Sequence, residues 1–297
     1  MTKILTEFSK EKCATSHLEN WLGYWRFFSQ SSLLTLNESD GLFLIDAGLT
    51  KDQALMVPQG IFKADLKPED VDQKIDYVVE YFNSRNMSFW WSVCPSSKPD
   101  NLGEYLKAHS FNEMDDTPIM AAELHNLVDD RPKPKDFVIK EANDEDSIRL
   151  FWDLWYTGYP MPEISGKLFA DCFVEIGYHS DNKMKLFIGY LTGEPVATSI
   201  MILEGGVVGL NGVVVLPEAR GKGIGTEMSL HPLRVARSVG YKIGVLDATQ
   251  HGLGIYQRIG FHEVCSANVY TYASPDNVEL EKKMKDMLHS PRNTTNR

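Results

Sequence analysis

The sequence is poor in cysteine. Cys13, Cys94, Cys172 and Cys265 are spread over 297 residues with no CxxC pair among them. That spacing argues against a disulfide scaffold or a zinc cluster. Four unrelated thiols fit a reducing cytoplasm, where a buried cysteine acts as a small hydrophobe. No apolar run approaches the roughly 18 residues needed to span a bilayer, so no membrane partner is expected. The opening segment MTKILTEFSK lacks the apolar stretch of a secretory signal. Positive charge is also scarce, with 30 Lys+Arg against 41 Asp+Glu and a net charge of −11. The deficit lies in residues 1–130, which hold 11 basic against 21 acidic side chains; residues 131–297 hold 19 against 20. Such a first half repels phosphate backbones, so nucleic acid is not an expected partner. It would favour cationic substrates, although ordinary solubility charge explains it equally well.

What is present is a soluble globular composition, 43% hydrophobic and 24% charged. The length suits two domains of average size. The charged, proline-bearing segment Asp129–Asp136 reads as a linker. It separates a first unit (1–128) from a second (137–273), with a C-terminal helix and tail over 274–297. In the second unit a helix is expected to start at Asn143–Asp146. Strand patterns follow at Lys185–Leu191, Pro195–Leu203 and Val207–Leu216, with a tight Gly205-Gly206 connection before the third. Helical spacing runs from Ile224 to Val239, with a kink or restart expected at His231-Pro232. Tyr241–Asp247 reads as a strand, Leu253–Ile259 as a short helix, and Phe261–Tyr272 as a strand pair or bent hairpin. This order predicts a mixed α/β (α+β) architecture with mainly antiparallel strands.

A weak internal repeat relates the halves. Ser88–Val93, Leu102-Gly103-Glu104-Tyr105 and Phe111-Asn112-Glu113 match Tyr241–Leu246, Leu253-Gly254-Ile255-Tyr256 and Phe261-His262-Glu263. The offset is 151 residues at Tyr105/Tyr256 and 150 at Phe111/Phe261.

The segment that carries chemistry is Val213–Thr226. A β-branched strand enters Arg220-Gly221-Lys222-Gly223-Ile224-Gly225-Thr226, and a helix follows. Glycines let successive N–H groups point into one concavity, and a helix N-terminus adds partial positive charge. Together they suit phosphate oxygens, with Arg220 and Lys222 as nearby cations. The spacing fits neither GxxxxGK[ST] nor GxGxxG. It does fit R-x-x-G-x-G. With the lead-in V-x-L-P-E-A-R and the downstream stretch from Ala248 to Phe261, this part resembles the GNAT N-acetyltransferase superfamily over residues 137–273.

The resemblance implies a GNAT sheet flanked by helices, present as two tandem GNAT-like domains. It implies acetyl-CoA as cosubstrate, no metal, and transfer of the acetyl group to a primary amine by direct attack. The amides of Arg220, Gly221, Lys222, Gly223, Ile224 and Gly225, with Thr226, would hold the pyrophosphate. The strand edge Val213–Val214–Val215 would hold the pantetheine arm beside a bulge near Asn211–Val213, and an N–H near Val213 or Val214 would hold the oxyanion. Tyr256 would protonate the leaving thiolate; a core tyrosine is the alternative. The base is unassigned among Glu204, Asp247, His179 and His251, with Asn211 positioning a water; the strand Val207–Leu216 carries no carboxylate. Tyr156 and Tyr159 are the pocket candidates, whereas Trp152 and Trp155 read as core. In the first half the counterpart loop is placed at Val57–Lys63, without an anion cradle, which implies a degenerate copy. The acceptor is a small-molecule or peptide amine, and a monomer or homodimer are both open. So are a non-catalytic acyl-CoA-binding sensor and an acyltransferase for longer acyl-CoA.

Overall fold

The structure, a computed structural model, describes residues 3–49, 59–114, 116–130, 132–159, 163–179 and 181–272, the side chains of Gln250 and His251 excepted. The side chain of His251 and the expected C-terminal helix and tail over 274–297 lie outside the described residues.

In the first half, helix α1 (Lys10–Phe28) precedes strands β1 (Thr35–Ser39), β2 (Leu42–Asp46) and β3 (Gly60–Ala64). Then come helix α2 (Val71–Asn83), β4 (Trp90–Val93), α3 (Leu102–Ala108), β5 (Phe111–Glu113) and β6 (Thr117–Glu123). The second half runs β7 (Phe137–Glu141), α4 (Glu145–Gly158), α5 (Glu163–Ile176), β8 (Met184–Leu191), β9 (Glu194–Glu204), β10 (Val207–Val215), α6 (Ile224–Ser238), β11 (Ile243–Asp247), α7 (Gln250–Ile259) and β12 (His262–Tyr272). The expected strands and helices of the second half are thus present, with boundaries within a few residues.

All twelve strands form one sheet, in the order β1-β2-β3-β4-β12-β6-β11-β10-β9-β8-β7, with β5 beside β12. Pairing is antiparallel except at β3–β4 and β10–β11. At the centre the halves exchange strands. β6, the last strand of the first half, pairs with β11 of the second. β12, the last strand of the second half, pairs with β4 of the first. The expected hairpin over Phe261–Tyr272 is therefore corrected to one long strand with an irregularity between Glu263 and Cys265. Its front portion is met by β6 and its rear by β4 and β5, so the ladder is filled along its length and no turn is needed.

Of the kink or restart expected at His231-Pro232, the restart is absent; α6 runs through Pro232 as one helix. An interior proline costs about 3 kcal/mol. Here Met228, Leu230, Leu233 and Ala236 are buried on the same helix and offset that cost.

Helix α1 belongs to the first half by sequence but packs on β9, β10 and β12 of the second. Ser9 caps it, accepting the Lys12 N–H at 3.2 Å. Asn20 donates from Nδ2 to the carbonyls of Ile202 and Glu204, both at 3.0 Å. The approach is so close that a Cβ on Gly209 would lie 1.9 Å from Asn20 Oδ1. One core straddles both halves, joining Trp25, Phe28 and Phe62 to Trp152, Phe169 and Phe173.

Candidate active site

The glycine loop is built as its composition dictates. β10 ends at Val215, a 3-10 turn spans Pro217–Ala219, and Gly221 and Gly223 take φ of +78° and +80° before α6 begins. L-residues with a Cβ avoid that region, so both positions favour glycine. No side chain caps α6. From Gly221 to Thr226 no main-chain N–H has a protein partner among the described residues; the next donor is the Glu227 N–H, to Gly223 O. The donors needed for an anion are therefore available. Glu227 sits in this first turn, but its buried carboxylate accepts from Arg234 at 2.8 Å. The two expected cations act differently. Arg220 donates to the carbonyls of Val215 (2.9 Å) and Gly158 (3.2 Å), and Lys222 to that of Glu218 (3.2 Å). Arg220 thus braces the loop against β10 and the C-terminus of α4, whose carbonyls attract cations, and Lys222 ties it to the 3-10 turn.

The strand before the loop splays from its neighbour. β10 pairs with β11 only at Val208–Gly244 and Gly209–Val245. On its other side it follows β9 to Val215, with an irregularity between Asn211 and Val214. Gly212 there takes φ +56°, and its carbonyl accepts from Thr198 Oγ1 at 2.9 Å. Past this bulge β10 has already left β11, and Val213 and Val214 face a cavity of about 540 Å3.

Asn211, Val213, Val214, Tyr159 and Tyr256 all line that cavity. Tyr256 lies on α7, whose N-cap Thr249 accepts the Gly252 N–H at 3.2 Å. It is 9% exposed. Burial first, then the nearby Tyr159 and Asp247, raise its pKa above the usual phenol value. The hydroxyl therefore keeps its proton at neutral pH and is available as a donor. Tyr156 is a correction. It lies against α5, where a Cβ on Gly166 would fall 2.3 Å from its ring, and is not part of the cavity wall. Tyr159 diverges from it because it is the C-cap of α4, with extended φ −109° and ψ 106°. Trp152 is fully buried core, whereas Trp155 lines the cavity and stacks on Tyr159 at 6.2 Å. Of the base candidates, Glu204 pairs with Lys183 away from the cavity and His179 is not in its wall, but Asp247 is.

Sequence reasoning missed the first half's share of the wall. His17, Trp21 and Trp25 of α1 contribute, as do Phe62 of β3 and Trp90 of β4. His17 bonds Asp247 across the halves, Nε2 to Oδ2 at 3.0 Å. The spacing of four between His17, Trp21 and Trp25 is a helical stripe visible in the sequence, but a plain core stripe looks the same.

The first half has a counterpart to the loop, one element later than Val57–Lys63. It is Asp65–Asp70, joining β3 to α2. It holds no glycine, and three of its amides are engaged: Asp65 N–H to Gly41 O (2.7 Å), Leu66 N–H to Lys98 O (3.1 Å) and Asp70 N–H to Lys67 O (3.0 Å).

A glycine loop at a helix N-terminus, a strand splay beside it and a buried tyrosine on α7 thus all lie in the second half. Residues 146–261 match the acetyltransferase (GNAT) family. Residues 146–261 thus carry a GNAT domain, and the chain as a whole shares the fold of tandem GNAT structures. Similar solved structures share the fold at low identity. A GCN5-related N-acetyltransferase from Kribbella flavida has TM-score 0.63 and 15% identity, over 88% of this chain and 96% of that one. A functionally unknown conserved protein from Staphylococcus epidermidis has 0.58 and 15%, over 80% and 93%. A tandem GNAT protein from the clavulanic acid biosynthesis pathway has 0.57 and 13%, over 91% and 97%. Among the described residues no helix is long and apolar enough to cross a membrane.

Proposed function

We propose that this chain is an N-acetyltransferase that moves the acetyl group of acetyl-CoA to a primary amine in a ternary complex, and that it works in the cytoplasm. The observation that carries this is the opening of β10: the amides of Gly221–Thr226 have no partner among the described residues, the Val213–Val215 edge has left β11, and Val213, Val214 and Tyr256 line one cavity. In this reading the loop amides and helix dipole hold the diphosphate. The Val213–Val215 edge accepts the pantetheine arm as an added strand. The N–H of Val213 or Val214, beside the bulge, stabilises the oxyanion as the amine attacks. Tyr256 then gives its proton to the departing sulfur. Arg220 and Lys222 serve by shaping the loop. The first half supplies no second diphosphate site but helps to wall the acceptor cavity.

The test is thiol release from acetyl-CoA against a panel of amines, with CoA affinity measured by calorimetry. Turnover with at least one amine supports the reading. CoA binding without turnover would make the chain a sensor instead. Faster turnover with a longer acyl-CoA would reassign the cavity to the acyl chain.

A further inference from the structure

The cavity wall holds a pair of side chains that the reading above does not use. His17 comes from α1 and Asp247 from the end of β11, 230 residues apart, and they meet at 3.0 Å. The His17 side chain is 9% exposed and the Asp247 side chain 32%. Both line the same cavity as Tyr256 and Asn211. The carboxylate accepts the Nε2 proton, which fixes the tautomer and leaves Nδ1 as the basic nitrogen. Nδ1 has no hydrogen-bond partner among the described residues.

The reaction needs a base here. An amine arrives as ammonium and cannot attack until it loses a proton. β10 offers no carboxylate. The other titratable groups of the wall are unsuited. Burial raises the pKa of Tyr24, Tyr159 and Tyr256 and keeps them protonated. Burial, with the Asp247 charge adding to it, pushes Cys265 up to about 11. The Cys94 thiol is bonded to the hydroxyls of Ser96 and Ser97 at 3.4 Å, and Glu11 is exposed on α1. Imidazole is the side chain whose ordinary titration falls near neutral pH. Trp21, Trp25, Trp90 and Trp155 share the wall with aliphatic side chains such as Leu18, Ile119 and Val269. The indole N–H groups of Trp25 and Trp90 lack a partner among the described residues.

Resting on the acetyltransferase reading, we propose that His17, oriented by Asp247, is the general base, and that its substrate is an amine with an apolar, aryl or branched-alkyl body held in the aromatic cavity between the halves. His17 Nδ1 takes one proton from the ammonium and passes it to solvent. The freed nitrogen pair forms the C–N bond while the carbonyl π pair moves to oxygen. Collapse of the oxyanion breaks the C–S bond, and the sulfur takes the Tyr256 proton. The second proton lost from nitrogen restores Tyr256. The products are amide, CoA thiol and one proton. Asp247 is the positioning residue.

The test uses the full chain and steady-state kinetics across pH, with CoA calorimetry and a thermal melt on each variant. For His17→Gln we expect kcat/KM to fall about 100-fold or more, CoA affinity to stay within about twofold, and the acid limb of the pH profile to vanish. Exogenous imidazole should restore part of the activity of His17→Ala, which a merely structural histidine would not allow. Asp247→Asn should cost about tenfold in kcat with KM and CoA affinity little changed, because the imidazole loses the partner that fixes its tautomer. Phenylalkyl and branched alkyl amines should show higher kcat/KM than polyamines. A folded His17→Gln variant with near wild-type turnover and an intact acid limb would overturn the base assignment, and a preference for polyamines would overturn the apolar acceptor. If the wild type binds CoA but acetylates no amine, the acetyltransferase reading fails and takes this inference with it; that outcome differs from an active wild type with an indifferent variant.

Discussion

The two halves repeat one plan and differ where a cosubstrate would lie. In the second half β10 leaves β11 after Gly209 and its edge stays open. In the first half β3 pairs with β4 at Gly60–Trp90 and Ile61–Trp91, and the parting beyond is filled by the protein's own chain. Lys98 bridges to Asp65 in parallel, its N–H donating to Ala64 O (2.9 Å) and its carbonyl accepting from Leu66 (3.1 Å). The following loop is acidic, with Glu69, Asp70 and Asp72 at the start of α2, where a diphosphate would meet like charge. The difference teaches how the first half closes the region that is open in the second: a segment of its own chain lies beside β3, and the charge near the helix N-terminus is negative. What the first half retains is its helix α1 and its aromatic wall.

The largest expected effect breaks the comparison at the tyrosines. Tyr256→Phe should lower kcat about 100-fold or more with CoA affinity unchanged, while Tyr105→Phe, its counterpart in the repeat, should leave turnover within about twofold. Equal effects, or none at Tyr256, would remove the proton-donor assignment. Next, Gly223→Val should weaken CoA binding at least tenfold in calorimetry, because a β-branched residue at φ +80° is strained and covers the amides. Asp70→Gly in the first half should create no second binding event. Then comes the shared core. Trp25→Ala should cost about 3–5 kcal/mol in urea unfolding, and both wild type and variant should unfold in a single transition because the halves share strands and core. Two separated transitions would show that they fold apart. The smallest effect belongs to Arg220→Ala. Its guanidinium braces carbonyls, so CoA affinity should drop by a few-fold only; a hundredfold loss would return it to direct phosphate contact.

What was readable in the sequence was local. Arg220–Thr226 is contiguous, and its glycines announce their backbone angles. Tyr256 was reachable because the stretch from Ala248 to Phe261 holds it at fixed spacing from the turn before α7. Tyr156 misled because helical spacing places it beside Tyr159, and only the extended C-cap separates them. His17–Asp247, the Lys98 segment beside β3 and the exchange of β6 and β12 are non-local pairings. A strand's pattern tells which face is buried but not which partner it meets. The first-half loop was misplaced for a related reason: with no glycines to mark it, only the strand-to-helix connection at Asp65–Asp70 identifies it.

The crossed arrangement at the centre of the sheet has a consequence for inheritance. Cut between residues 130 and 137, this polypeptide gives two fragments that each carry a strand fitted to the other and lack a neighbour for their own parallel pair. Each fragment would present an unpaired ladder, and the remedy is reassociation with its counterpart or with a second copy of itself. For inheritance this means that the two halves are passed on together, since either one alone would carry an open ladder edge.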